Sequence, residues 1–333
     1  MQDDRFKIAV IGAGRMGTVH ARNAAAHPAL ELACVAETPD GSAATLADAL
    51  QRPVAPFSAA LADPAIAGVV IASATATHLD FALAALAAGK AVFCEKPLDL
   101  DLARLRAHAG VFADAPLVVG FNRRFDPHFR ALKARLDAGE IGTLETLSLI
   151  SHDPAAPPPG FIPTSGGLFR DFVIHDFDMA RWLMGEEPVE VFAWASCLVD
   201  PAIAAAGDVD TARIVLKTTS GRLCTISSSR RSGYGYDQRA EVYGSAGMAR
   251  VDNPRSTTLE GWSEAGSAAA RIAGGFAERY AAAYAAEMDH FAAVLAGEAA
   301  PAVGHAANER ALALAEAAGR SAQSGAPVMV ESV

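Results

Sequence analysis

The stretch "KIAVIGAGRMG", residues 7–17, limits the possible folds of this chain more than any other. It places Gly12, Gly14 and Gly17 in G-x-G-x-x-G spacing, directly after an apolar run and before an Ala-rich helical segment. In that setting the first glycine permits a tight turn and the second lets backbone N–H groups approach a pyrophosphate. The third lets helix and strand pack closely. Arg15 and Met16 complete the loop. Glu37 follows Gly17 by 20 residues, at the end of a second apolar run, where an acid can accept hydrogen bonds from an adenosine ribose diol. It also repels a 2′-phosphate, and Thr38 and Pro39 offer no cation to offset that, so NAD is expected over NADP. The plain alternative is a glycine turn beside a surface acid.

The rest of the first third agrees with a dinucleotide fold. "LELACVAE", "GVVIASA", "AVFCEKP" and "PLVVGFN" read as strands with helices between them, and continuous Val/Ile runs suit parallel strands covered on both faces. The expected class is α/β, an N-terminal doubly wound parallel sheet over residues 1–120. After residue 120 the alternation changes. A helix closed by glycine ("HFRALKARLDAGEIG") leads into strands such as "TLETLSLISHD", "VEVFAWASCLVD", "DTARIVLKTTSG" and "DQRAEVYGSAG". Residues 121–333 thus read as a second α/β domain on an open, mostly antiparallel sheet, finished by helices that could pack back on the first domain.

Bulk properties exclude several classes. A length of 333 residues suggests about two domains. A net charge of -10 gives phosphate backbones no reason to approach, so nucleic acid is not an expected partner. Cys34, Cys94, Cys197 and Cys224 form no C-x-x-C pair, which argues against a zinc or redox motif and for reduced thiols. The N-terminus is acidic where a signal peptide needs positive charge, and no apolar run reaches membrane-span length. A cytoplasmic protein is expected, without membrane partners.

Candidate chemistry lies at strand ends. Ser73, Thr75, Thr77 and His78 follow the strand at 69–72, where small hydroxyl residues face the ligand crevice of a doubly wound sheet; ordinary helix capping is the alternative for Thr77. Lys96, between Glu95 and Pro97, ends another strand, and its ammonium could stabilise an oxygen gaining alkoxide character; an exposed loop lysine is the alternative. "SGGLFRDFVIHDFDMARWL", 165–183, reads as one amphipathic helix that would align Asp171, His175, Asp178 and Trp182 on a single stripe. His175 is the natural base for a hydroxyl proton, because imidazole titrates near neutral pH. A capped helix with a satisfied, buried histidine is the alternative.

Together "GAGRMG", "EKP", "GFNRRFDPHF", "SGGLFRDFVIHDFDMARWL" and "RRSGYGYDQRAEVYGSAGMARVDNPR" resemble the Gfo/Idh/MocA oxidoreductases over nearly the whole chain, and the helix context narrows the likeness toward inositol dehydrogenase-like members. The resemblance implies an N-terminal Rossmann domain, a second domain whose open sheet builds a dimer or tetramer, and oxidation of myo-inositol or a related polyol by NAD. It implies a catalytic Lys96, Asp171 and His175, with no metal. It also implies that Glu95, Asn122 and Arg123 lie near the cofactor, and that Arg123 and Tyr236 reach the substrate. Asp153, in "SHDP", is a further candidate for a hydroxyl contact. Arg123 and Arg124 could instead pair with Asp126. Relatives often carry Arg-Asp-Pro where this chain has His152-Asp153-Pro154, which leaves the polyol open: scyllo-inositol, an aldose or, by a different reaction, NAD-dependent glycoside cleavage. A dinucleotide-sensing regulator would have little need for both Lys96 and His175.

Overall fold

A computed structural model describes residues 5–36 and 43–331. The chain divides into two compact units, residues 1–125 with 282–312, and residues 126–281 with 313–333.

The first unit holds a six-stranded sheet in the order β3-β2-β1-β4-β5-β6, all pairings parallel. Its strands are β1 (Phe6–Ile11), β2 (Leu30–Ala36), β3 (Val54–Ala55), β4 (Ile66–Ile71), β5 (Ala91–Glu95) and β6 (Leu117–Gly120). Ile8, Val10, Val69, Val70, Phe93 and Val118 are all fully buried. Consecutive burial along β1, β4, β5 and β6 is what an apolar run achieves only when both faces of the sheet are covered. The order reverses between β1 and β4, so the C-terminal ends of these two strands flank the glycine turn. The helix Ala281–Leu295 returns to this unit: Phe291 meets Phe93 at 6.1 Å and occupies the space left by Gly68.

The second unit is built on a seven-stranded mixed sheet, β12-β11-β7-β10-β9-β8-β15. The members are β7 (Leu144–His152), β8 (Pro188–Ser196), β9 (Thr211–Thr218), β10 (Leu223–Ser229), β11 (Asp237–Gly244), β12 (Gly247–Val251) and β15 (Val328–Met329). A hairpin, β13 (Glu260–Ser263) with β14 (Gly266–Ala269), stands apart from it. Only β7 with β10 is parallel; the other pairings are antiparallel. Strict alternation along β9 and β10 buries Ile214, Leu216, Cys224 and Ile226 on one face and leaves the other wet. The helix Ile174–Met184 covers the buried face, tied down where the Ser151 hydroxyl of β7 donates to Asp176 at 2.6 Å.

The single helix expected over 165–183 is not uniform. Residues Leu168–Val173 form a π-helical turn, and only Ile174–Met184 is α-helical. Gly166 and Gly167, at φ +87° and +79°, launch the turn, and Asp208 receives the Leu168 N–H at 3.1 Å. A Cβ on Gly167 would stand 2.8 Å from the Asp208 carboxylate, so the "SGG" sequence is what lets that acid reach the helix start.

Candidate active site

The glycine loop sits at the end of β1, where Gly12 adopts φ +96° and a Cβ would fall 2.3 Å from the Ala72 carbonyl oxygen. Gly17 is closed in equally, with Gly12 O at 1.9 Å from an ideal Cβ. Gly14 is different: a Cβ there meets nothing, so this side of the turn is open. It is also the N-cap of the helix Arg15–Ala26, and no side chain caps that helix. An uncapped N-terminus behind an open glycine is a cradle for an anionic pyrophosphate, and these residues fit a dinucleotide. Arg15 is exposed and Met16 half-buried beside it. Glu37 lies outside the described residues.

At the end of β4, Ser73 and Thr77 hydroxyl oxygens are 2.7 Å apart. Thr77 does not cap the next helix; its hydroxyl donates to Ala74 O at 2.7 Å. His78, expected at the cofactor, is 2% exposed, and its ring nitrogens face Pro97 O at 2.9 Å and Ser73 O at 3.1 Å. Burial holds its pKa below the ordinary imidazole value, although both carbonyls pull the other way. The ring braces the ends of β4 and β5 against each other, and Ser73, Thr75 and Thr77 are the half-buried polar groups beside it.

Lys96 follows β5 directly, and the Lys96–Pro97 peptide is cis. Its backbone N–H donates to its neighbour's carboxylate, Glu95 Oε2, at 3.3 Å. Glu95 itself is buried and paired with His20. Beyond the turn, the Leu98 N–H donates to Asn308 Oδ1 at 3.1 Å, fixing the segment at a second point. Asn122 and Arg123 lie on a tight turn after β6, each 4% exposed.

In the second unit Asp171 belongs to the π-helical turn and His175 to the first α-helical turn after it, both half-buried. The expected stripe ends there. Asp178 is buried and pairs with Arg181 at 3.6 Å, so it serves the packing of its own helix. Arg181 also holds Glu187 at 2.5 and 2.8 Å. Tyr236 is buried with its ring edge-on to Tyr280 at 5.9 Å, and Asp153 is half-buried, its backbone N–H donating to Ser229 O. Asp126 is taken by Arg279, at 2.6 Å, and by the N–H groups of His128 and Phe129 that it caps.

Sequence reasoning missed Arg230. Its guanidinium is 2% exposed, 3.6 Å from Asp171 Oδ2 and 5.7 Å from the Phe172 ring centre. A buried arginine needs an acid within reach, and Asp171 is the one it meets. Only the alternation of β10, carried one residue past its end, separates buried Arg230 from exposed Arg231. Among the described residues no cluster of three or more His, Cys, Asp or Glu is arranged to hold a metal ion.

A family model described as "Oxidoreductase family, NAD-binding Rossmann fold" matches residues 6–137, and one described as "GFO/IDH/MocA C-terminal domain" matches residues 129–250. The chain belongs to the Gfo/Idh/MocA oxidoreductases. As a member of that family it is an NAD-dependent dehydrogenase. It is similar to the inositol 2-dehydrogenase of Rhizobium meliloti, with 45% identity over 95% of this chain and 96% of that one. It is also 41% identical to the myo-inositol 2-dehydrogenase of Thermotoga maritima, over 98% of this chain and 99% of the relative. Among solved structures, a putative myo-inositol dehydrogenase from Sinorhizobium meliloti superposes with a TM-score of 0.95 at 44% identity, covering 98% of this chain and all of the other.

Proposed function

We propose that this Gfo/Idh/MocA dehydrogenase oxidises a secondary hydroxyl of a cyclic polyol, myo-inositol, to the 2-keto product. The observation that carries the substrate is the likeness to a protein named inositol 2-dehydrogenase, 45% identical over 95% of this chain and 96% of that one. Bound NAD supplies the hydride acceptor.

The protein's own groups divide the remaining work. His175 takes the proton from the reacting hydroxyl, because a neutral imidazole accepts a proton near physiological pH without a large driving force. The Lys96 ammonium stabilises the oxygen as negative charge develops on it. Asp171, held by Arg230, orients the imidazole or accepts a hydrogen bond from a neighbouring hydroxyl. Asp153, Arg123 and Tyr236 remain candidates for further polyol contacts, and Gly12, Gly14, Arg15, Met16, Gly17, Glu37, Ser73, Thr75, Asn122 and Arg123 for the dinucleotide. The two units would divide as a dinucleotide-binding domain and a substrate and assembly domain.

Assembly through the wet face of the second sheet belongs to the same reading. Across that face Met248, Tyr243, Thr146 and Leu223 are register neighbours, and three of the four are exposed apolar side chains. Trp194 on β8 adds an indole that is 66% exposed. Such a row is costly to leave in water and suits a dimer or tetramer. A cytoplasmic setting belongs to the same reading, and the free, buried Cys34, Cys94 and Cys224 are consistent with it. No helix among the described residues is long and apolar enough to cross a membrane.

The test is a polyol panel read by NADH absorbance. Myo-inositol turned over fastest supports the proposal; glucose or scyllo-inositol turned over far faster than myo-inositol contradicts it.

A further inference from the structure

Inside the second unit, a cation stands on the buried face of the sheet. That face of β10 runs through Cys224, Ile226 and Ser228, and Arg230 continues it past the strand end at 2% exposure, whereas Arg231 on the other face is exposed. Backbone bonds hold the strand end from both flanks. The Asp153 N–H donates to Ser229 O and the Arg230 N–H donates to Asp210 O, each at 2.9 Å. From this fixed point the Arg230 side chain reaches the π-helical turn. Its guanidinium carbon lies 5.7 Å from the centre of the Phe172 ring, and Nη2 stands 3.6 Å from Asp171 Oδ2. The Asp208 carboxylate receives the Leu168 N–H at the start of that turn. One short segment, residues 208–210, thus holds both the start of the turn and the strand end that carries Arg230.

The charge of Arg230 is not what packing alone would select. Its Nε and Nη2 are buried without a hydrogen-bond partner, and desolvating donors in that way costs stability that the ion pair with Asp171 offsets only in part. A methionine of similar reach would cover the Phe172 ring without that cost. A local rule broken next to a candidate catalytic acid points to a role in the reaction.

We propose that Arg230 is a positioning residue that acts through Asp171, holding its carboxylate in one orientation on the turn that leads into His175. This rests on Asp171 taking part in the proposed polyol oxidation. The Asp171 side chain is 20% exposed, so its torsions are not set by close packing on every side. A cation fixed by the end of β10 gives Oδ2 a preferred place and thereby sets where Oδ1 points. The magnitude expected is large, because a misplacement of about 1 Å near the reacting atoms can cost on the order of 100-fold in rate.

Arg230→Met, Asp171→Asn and the double variant test this with NAD and myo-inositol, reading kcat, KM, NAD affinity and Tm. Arg230→Met should lose about 10-fold or more in kcat, with NAD affinity within about twofold of wild type. In the Asp171→Asn background the same substitution should cost less than about threefold, because the carboxylate it acts through is already gone. A folded Arg230→Met with wild-type kcat overturns the proposal. Equal losses in the two backgrounds also overturn it, since they mark a residue that serves the fold alone. Should Arg230→Met not fold, Arg230→Gln, which keeps polar donors without the charge, decides by the same comparison, and no loss or equal losses overturn the proposal. Asp171→Asn is read by itself: wild-type turnover there removes Asp171 from the reaction, whatever the Arg230 variants do.

Discussion

Gly17 has no room for a methyl group, since the Gly12 carbonyl oxygen would stand 1.9 Å from its Cβ. Gly17→Ala must push the first helix away from the loop, and NAD affinity measured by fluorescence titration should fall about 10-fold or more. Unchanged affinity would show that the loop has slack the geometry denies. Glu37→Ala with Thr38→Arg should move preference toward NADP, and unchanged selectivity would remove Glu37 from the ribose. Gly12 and Gly17 were legible in the sequence because backbone geometry dictates their type. Arg230 and Glu287 were not legible. Each reads as an ordinary charged residue until its surroundings appear, Arg230 against Asp171 and Glu287 wholly buried on its helix. His78 shows the converse, a strand-end polar residue whose nitrogens are occupied by backbone carbonyls.

At the scale of elements, continuous apolar runs identified the parallel strands, and alternation identified the half-wet ones, because burial on two faces or one leaves those two patterns. The π-helical turn at Leu168–Val173 carries no such signature. A 3.6-residue period put Asp171, His175 and Asp178 on one stripe, whereas Asp171 belongs to the widened turn and Asp178, inside the α-helix, is buried and paired with Arg181. Another element depends on one acid. Asp210, at the start of β9, accepts backbone N–H groups from Leu198, Val199 and Asp200 at 2.8–3.1 Å and a thiol from Cys197. Burial alone would raise its pKa, but these donors outweigh it and bring the value down to about 2. Its stabilisation is present above the ordinary carboxyl range and is lost as pH falls toward 2. Asp210→Asn should lower Tm at neutral pH by roughly 3–8 °C and flatten the acid limb between about pH 4 and 2. Calorimetry showing equal melting and an equal acid limb would remove Asp210 as the anchor of this loop.

For the whole molecule, the exposed row on the second sheet bears on assembly. Tyr243→Glu places a charge in the middle of that row, and light scattering should report a smaller species than wild type. An unchanged mass would remove this row from the proposed assembly. The central claim is that His175 serves as the base of an NAD-dependent inositol oxidation, and the direct measurement is NADH formation from myo-inositol by His175→Ala beside wild type, with NAD binding titrated in both. The account predicts steady NADH production by wild type and a loss of about 100-fold or more in kcat for the variant, with NAD still bound. Turnover by His175→Ala at the wild-type rate would contradict it.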